Sequence, residues 1–189
     1  MTNFTMAKVD ADVSMLMDSL SSSHRLIPSS LQLLRLSFVV PVISLVAALV
    51  GDVIGYVSLF GSQSSLQGYY SYLFSDGWAV VIPTVIIGLL FALMTYNNLM
   101  LYMAVPESTR HASIILRHLR KIAKRTVSIF MILMFVAAFL SLFKSWASLA
   151  IPALEFVLLF ALNMIVGAEI NRLGAGLALE KISSLIKKI

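Results

Sequence analysis

No cysteine occurs in the 189 residues, which excludes disulfides, thiolate catalysis and cysteine metal sites. Charge is almost as scarce. Asp, Glu, Lys and Arg make up 12% of the chain and hydrophobic residues 59%, against roughly a quarter and a half in an ordinary soluble domain. A water-soluble fold could not hide that much apolar surface. The few charges are also clustered, leaving neutral runs as long as a bilayer requires, so lipid is part of this chain's solvent. A secretory signal is lacking too: residues 1–30 are polar with scattered apolar positions, so the first apolar run is expected to be a retained helix.

The net charge of +5 and pI near 9.6 do not point to nucleic acid. The basic residues sit beside apolar helices, where anionic lipid headgroups are the nearer partner.

Four apolar runs stand out, and they predict an all-α, polytopic membrane protein with four transmembrane helices. The first, residues 36–60, carries one charge, Asp52. Ser29 and Gln32 have capping-box spacing ahead of it, so the helix is expected to start near residue 30, and Pro41 to kink it. The second run, 78–103, belongs to an uncharged stretch from Gly77 to Met103. As a helix that stretch would reach about 40 Å, more than the roughly 30 Å of the hydrocarbon layer. It must tilt or protrude, and Asn97 and Asn98 favour protrusion at its C-terminal end. The third and fourth runs, 126–143 and 148–168, are separated by Lys144, Ser145, Trp146 and Ala147 alone, which forces an antiparallel hairpin.

Orientation follows from Lys and Arg. Lys8, Arg25 and Arg35 precede the first run; Arg110, Arg117, Arg120, Lys121, Lys124 and Arg125 lie between the second and third; Arg172, Lys181, Lys187 and Lys188 follow the fourth. Lys144 is alone on the other side, and the 61–77 loop has none. The positive-inside rule then predicts both termini in the cytoplasm. The chain divides into an N-terminal amphipathic helix (1–30), a four-helix membrane domain (31–168) with a basic cytoplasmic segment (104–125), and a C-terminal interfacial helix (169–189).

Each cytoplasmic piece has helical periodicity. Val9, Val13, Leu16, Met17 and Leu20 form one stripe, with Asp10, Asp12 and Asp18 elsewhere around it; it could dock on the bundle, on lipid or on a partner. In the middle piece Pro106 and Glu107 are good helix-start residues, and Ile115, Leu119 and Ile122 run opposite Arg110, Arg117, Lys121 and Lys124. This helix is expected to continue straight into the third span. Arg110, Arg117, Arg120, Lys121, Lys124, Arg125, Lys187 and Lys188 are the side chains expected to meet anionic lipid or a partner. On the other side Tyr69, Tyr70, Tyr72, Phe74, Trp78 and Trp146 read as an aromatic interface belt.

Asp52 and Glu155 are the charges that most need explaining, since an unpaired carboxylate in lipid costs several kcal/mol. Counting from the charged ends puts both in the external third of the bilayer, where Lys144 lies. An Asp52, Lys144 and Glu155 cluster is therefore expected, with Asn163 the one polar group left to extend it inward. Such a cluster reads as polar glue or as an ion or proton relay. Ala47, Gly51 and Gly55 recur every fourth residue and mark a packing face. Its complement is Ala137 and Ser141 of the third helix, or a second copy of the chain.

Catalysis finds no apparatus here. His111 and His118 share a helix face but are surrounded by Arg110, Arg117, Arg120 and Lys121, which would repel a cation. No serine sits in a nucleophile elbow and no Gly-rich loop precedes a helix in a phosphate-binding pattern. Gly174 and Gly176 read as a break before the terminal helix. No cofactor is expected.

A polar N-terminal helix, four spans, a basic middle segment, and VGAEINRLGAG (Val166–Gly176) followed by LEKISSLIKKI (179–189) together resemble the TraS-like family, the small inner-membrane entry-exclusion proteins of F-type conjugative plasmids. That resemblance implies a multi-pass protein of the bacterial inner membrane. In the recipient cell it would block redundant plasmid transfer by recognising a TraG-like mating-pair protein of the donor. The competing expectation is a small ion or solute transporter, or an accessory subunit of a membrane complex, using Asp52 and Glu155.

Overall fold

In the computed structural model, residues 5–21 and 28–174 are described, and among them every regular element is helical. Helix α1 (Met6–Ser21) precedes α2 (Ser30–Ser37) and α3 (Val39–Phe60). After a 3₁₀ turn (Gly61–Gln63) come α4 (Leu66–Tyr72), a π-helical turn (Leu73–Gly77) and α5 (Trp78–Ala104). Then follow α6 (Glu107–Ala112), α7 (Ile114–Leu140), a 3₁₀ turn (Ser145–Leu149) and α8 (Ala150–Arg172). Four continuous helical segments, Ser30–Gln63, Leu66–Ala104, Ile114–Leu140 and Ser145–Arg172, are long and apolar enough to cross a membrane.

Helix α3 packs on α5 and α7, α8 packs on α7 and α5, and α3 and α8 also touch across the diagonal. The core between them is built largely from small residues: Ala47 and Ala48 of α3 and Ala137 and Ala138 of α7 surround Met134, Ile151 and Leu158. Large side chains point the other way. Val42, Val46, Val50, Val53 and Val57 form an exposed stripe on α3, and Ile132, Val136, Phe139, Phe156 and Phe160 are exposed on α7 and α8. Exposed apolar surface on this scale has no place in water, whereas small-residue interfaces suit helices surrounded by lipid.

Several expectations change in detail. The Ser29 side chain makes no cap hydrogen bond, so the capping box does not form, although the helix does begin at Ser30. The interruption falls at Phe38, between α2 and α3, because Pro41 has no N–H to offer the carbonyl four residues before it. The 61–77 loop is mostly helix. Ser65 caps α4 by accepting from Gly68 N at 3.0 Å, and the Tyr56 hydroxyl meets the Ser65 backbone at 3.1 Å. Its polar composition concealed helical continuity with α5. Phe74, Trp78, Tyr70 and Trp146 are exposed at this aromatic end, while Tyr69 and Tyr72 pack around the Tyr56 ring, with centroids 5.6 and 5.5 Å away.

The middle piece does not run straight into the third span. Ser113 adopts an extended conformation between α6 and α7, and α7 starts afresh at Ile114. At the other end of the bundle's chain, α8 stops at Arg172, and Gly174 takes φ +67°, a left-handed position that glycine occupies without a Cβ penalty. Gly176 and the predicted terminal helix, including Lys187 and Lys188, lie outside the described residues.

Candidate functional site

The four polar residues predicted to cluster are not brought together. Lys144 is exposed and in no ion pair among the described residues. Asp52 is 1% exposed and Glu155 0%, and each sits at its own level of the bundle. Both oxygens of Asp52 lack a hydrogen-bond partner. Its Oδ2 lies where a side chain on Gly77 would stand, 3.2 Å from the Cβ that residue does not have. Glu155 Oε1 accepts from Ser44 Oγ at 2.6 Å and lies beside Gly88 in the same manner, at 3.3 Å. Gly77, at the end of the π-helical turn, and Gly88, on α5, thus make the room that two buried carboxyl groups fill.

Ser44 and Asp52 are eight residues apart on one helix, which separates the two acids by roughly 12 Å along the bundle. Glu155 is therefore deeper than a count from Lys144 implied. The reason is the fold of the hairpin. Its turn is drawn in against α3: Ser145 faces Gly55, Ser148 and Ile151 face Gly51, and Ser58 Oγ donates to the Leu142 carbonyl at 2.6 Å. The Ala47, Gly51 and Gly55 stripe accordingly packs within the chain, with Ala138 Cα 3.4 Å from the position of a Gly51 Cβ.

Ser44 Oγ is also 2.8 Å from the Val40 carbonyl. A hydroxyl carries one hydrogen, so Ser44 shares it between the Glu155 carboxyl and the Val40 carbonyl. Asn163 lies two turns further along α8, donating to the Leu159 carbonyl at 2.7 Å and to the Met94 sulfur at 3.2 Å. Asp52, Glu155 and Asn163 form widely spaced steps, not a contact network.

A third buried acid, Asp12, sits at the basic end of the bundle, where sequence patterning had put it off the apolar stripe. Asp12 is 6% exposed. It accepts from Ser113 Oγ at 2.7 Å, Ile114 N at 3.1 Å and Ile115 N at 3.0 Å, while Ser113 Oγ accepts from Leu116 N at 3.1 Å. The first three N–H groups of α7 are all satisfied, two of them by a residue about a hundred positions away. A carboxylate there also complements the positive end of the helix dipole. Around this clamp the α1 stripe docks on its own bundle: Val9 packs with Ile115 and Leu173, and Leu16 with Val105. Leu20's side chain lies outside the described set.

Arg117, Arg120, Lys121, Lys124 and Arg125 are exposed along α7 and form no ion pair among the described residues. Arg110 stands over the Tyr102 ring, 5.2 Å from its centroid, with its Nε buried and unpartnered. His118 Nε2 meets Glu169 Oε1 at 2.6 Å, and Arg172 bonds the same oxygen. That contact with His118, helped by Arg172, holds the Glu169 carboxyl below its ordinary range against the opposing effect of burial. His111 is 3.7 Å from Glu107, so the two histidines face different acids.

Only the Ser113 break gave sequence reasoning any means of finding Asp12, and a lone serine between two helical patterns is a weak signal. Compared with family models, characterised proteins and solved structures, the chain matches none.

Proposed function

We propose that this protein is a multi-pass recognition protein of the bacterial inner membrane, with both termini in the cytoplasm. The observation that carries this reading is the Asp12 clamp. It joins α1 to the start of α7, the helix along which Arg117, Lys121 and Arg125 are exposed, and so makes one composite surface from segments remote in sequence. A fixed surface of this kind is what a protein-reading site needs. The positive-inside rule puts it in the cytoplasm, and the aromatic end offers far less beyond the bilayer.

The task that the TraS-like resemblance adds is entry exclusion, with a TraG-like donor protein as the partner read. The test is to express the chain in plasmid-free recipients and mate them with donors carrying different F-type plasmids. A large fall in transconjugants confined to one donor, weakened by Asp12→Ala, is the expected result. Equal transfer from every donor, with the protein present in the membrane, overturns it.

A second reading, an ion or solute transporter, is favoured by the full burial of Asp52 and Glu155 without a cationic partner, since ionisable groups inside a membrane domain commonly serve conduction. The roughly 12 Å steps between Asp52, Glu155 and Asn163 weigh against a direct relay. Loss of ion flux in Asp52→Asn and Glu155→Gln proteins that still insert would favour transport over recognition.

A further inference from the structure

A cavity of about 1100 Å³ opens at the basic end, among the start of α3, the C-terminal half of α5, the first turns of α7 and the end of α8. Ligand sites commonly hold 300–1,000 Å³, so this space is generous. Its walls are mostly apolar, with Val40, Phe91, Val127 and Leu162 among them. Thr95, Asn98, Ser128 and Asn163 add neutral polar groups, and Arg110, Arg120 and Lys124 add cations against Glu107 as the single acid of the lining. The Arg110 Nε is buried there without an acceptor.

Gly167 adds an independent observation. It lines this cavity in the interior of α8, where glycine costs a helix about 1 kcal/mol relative to alanine. Yet no atom lies within 4 Å of where its Cβ would be. Unlike Gly51 or Gly88, it admits no neighbouring helix; its effect is to leave the cavity open.

A mostly apolar space with three cationic side chains in its wall, in a chain surrounded by lipid, is complementary to one class of molecule. We propose that this cavity binds a single anionic phospholipid, its phosphate held by Arg110, Arg120 and Lys124 and its acyl chains lying against Val40, Phe91, Val127 and Leu162. The chain's own residues 175–189 are the less complementary occupant, because their Lys181, Lys187 and Lys188 outweigh Glu180 and would meet a lining with three cations and one acid. The site is distinct from general attraction of headgroups to basic surface, since Arg117, Lys121 and Arg125 share helix α7 but do not line the cavity.

The experiment is native mass spectrometry of the purified full chain in detergent, titrated with phosphatidylglycerol or phosphatidylcholine. One phosphatidylglycerol should be retained per chain in preference to phosphatidylcholine. The Arg120→Gln/Lys124→Gln double variant should weaken retention about tenfold or more, as expected when charge-assisted contacts to one phosphate are lost. The charge-matched Arg117→Gln/Lys121→Gln variant should retain lipid like the parent. Gly167→Phe, whose new side chain enters open space in a helix that tolerates it, should lose the lipid with its helical content and melting temperature preserved. Equal loss in both double variants, equal retention of the two lipids, no retention by the parent, or retention only after residues 175–189 are deleted would each overturn the site.

Discussion

Asp12 and Asp52 are the same residue type, both buried, and their surroundings are opposite. Asp12 meets three donors at a helix N-terminus, whereas Asp52 meets none and Glu155, the third buried acid, meets a single hydroxyl. The difference teaches that burial alone does not assign a role. A carboxylate with its acceptor sites filled holds structure together, and its removal leaves orphaned N–H groups behind. One with no partner contributes little to the fold that holds it, and a well-packed apolar side chain can replace it without loss.

The largest effect should therefore come from the better satisfied acid. Asp12→Ala leaves Ile114 N and Ile115 N without their acceptor and is expected to cost about 2 kcal/mol, the upper range for loss of a helix cap. The cost should be local. Hydrogen exchange in detergent should show residues 6–21 losing protection while α3, α5, α7 and α8 keep theirs; unchanged protection of α1 would mean that Val9 and Leu16 alone dock it, and the contrast between the acids would fail.

Asp52→Leu should shift thermal unfolding by less than about 1 kcal/mol in either direction, because no hydrogen bond is broken and the residue faces the gap beside Gly77. Ser44→Ala supplies the intermediate case. It strips Glu155 Oε1 of its partner and should cost roughly 1–2 kcal/mol. If Asp52→Leu proves the more damaging of the two, Asp52 has a partner in the membrane that the bundle alone does not supply, which would sharpen the transport reading.

Much of this architecture was legible in residue order. The neutral runs gave four helices of spanning length, and the periodicity of Val9, Val13, Leu16 and Met17 gave an amphipathic helix, because both signals are local. The small-residue stripe at Ala47, Gly51 and Gly55 announced close approach but not by what. The missing information was relational. Lys144 looked like a counter-ion because it is near Glu155 in sequence, yet the inward fold of the hairpin turn carries Glu155 down to Ser44. Asp12 looked like a solvent-facing charge because its partners are on α7. Cap geometry that spans a hundred residues leaves no periodic trace, and the helical character of residues 66–72 was masked by their polarity.

Glu169 supplies the smallest expected effect and places a fourth acid between the two extremes. It is partnered like Asp12, through His118 and Arg172, but Arg172 is largely exposed, and exposed pairs are worth about 1 kcal/mol or less. Its carboxyl is held below the ordinary range, chiefly by the hydrogen bond with His118. The sign follows from that direction. Its contribution is complete above the ordinary glutamate value near 4.3 and disappears as pH falls through the lower value of the folded protein. The parent should therefore unfold at a higher temperature than Glu169→Gln at neutral pH, and the two curves should converge on acidification below about pH 4. A constant offset down to pH 3 would assign the difference to packing at the α7–α8 contact instead of to charge.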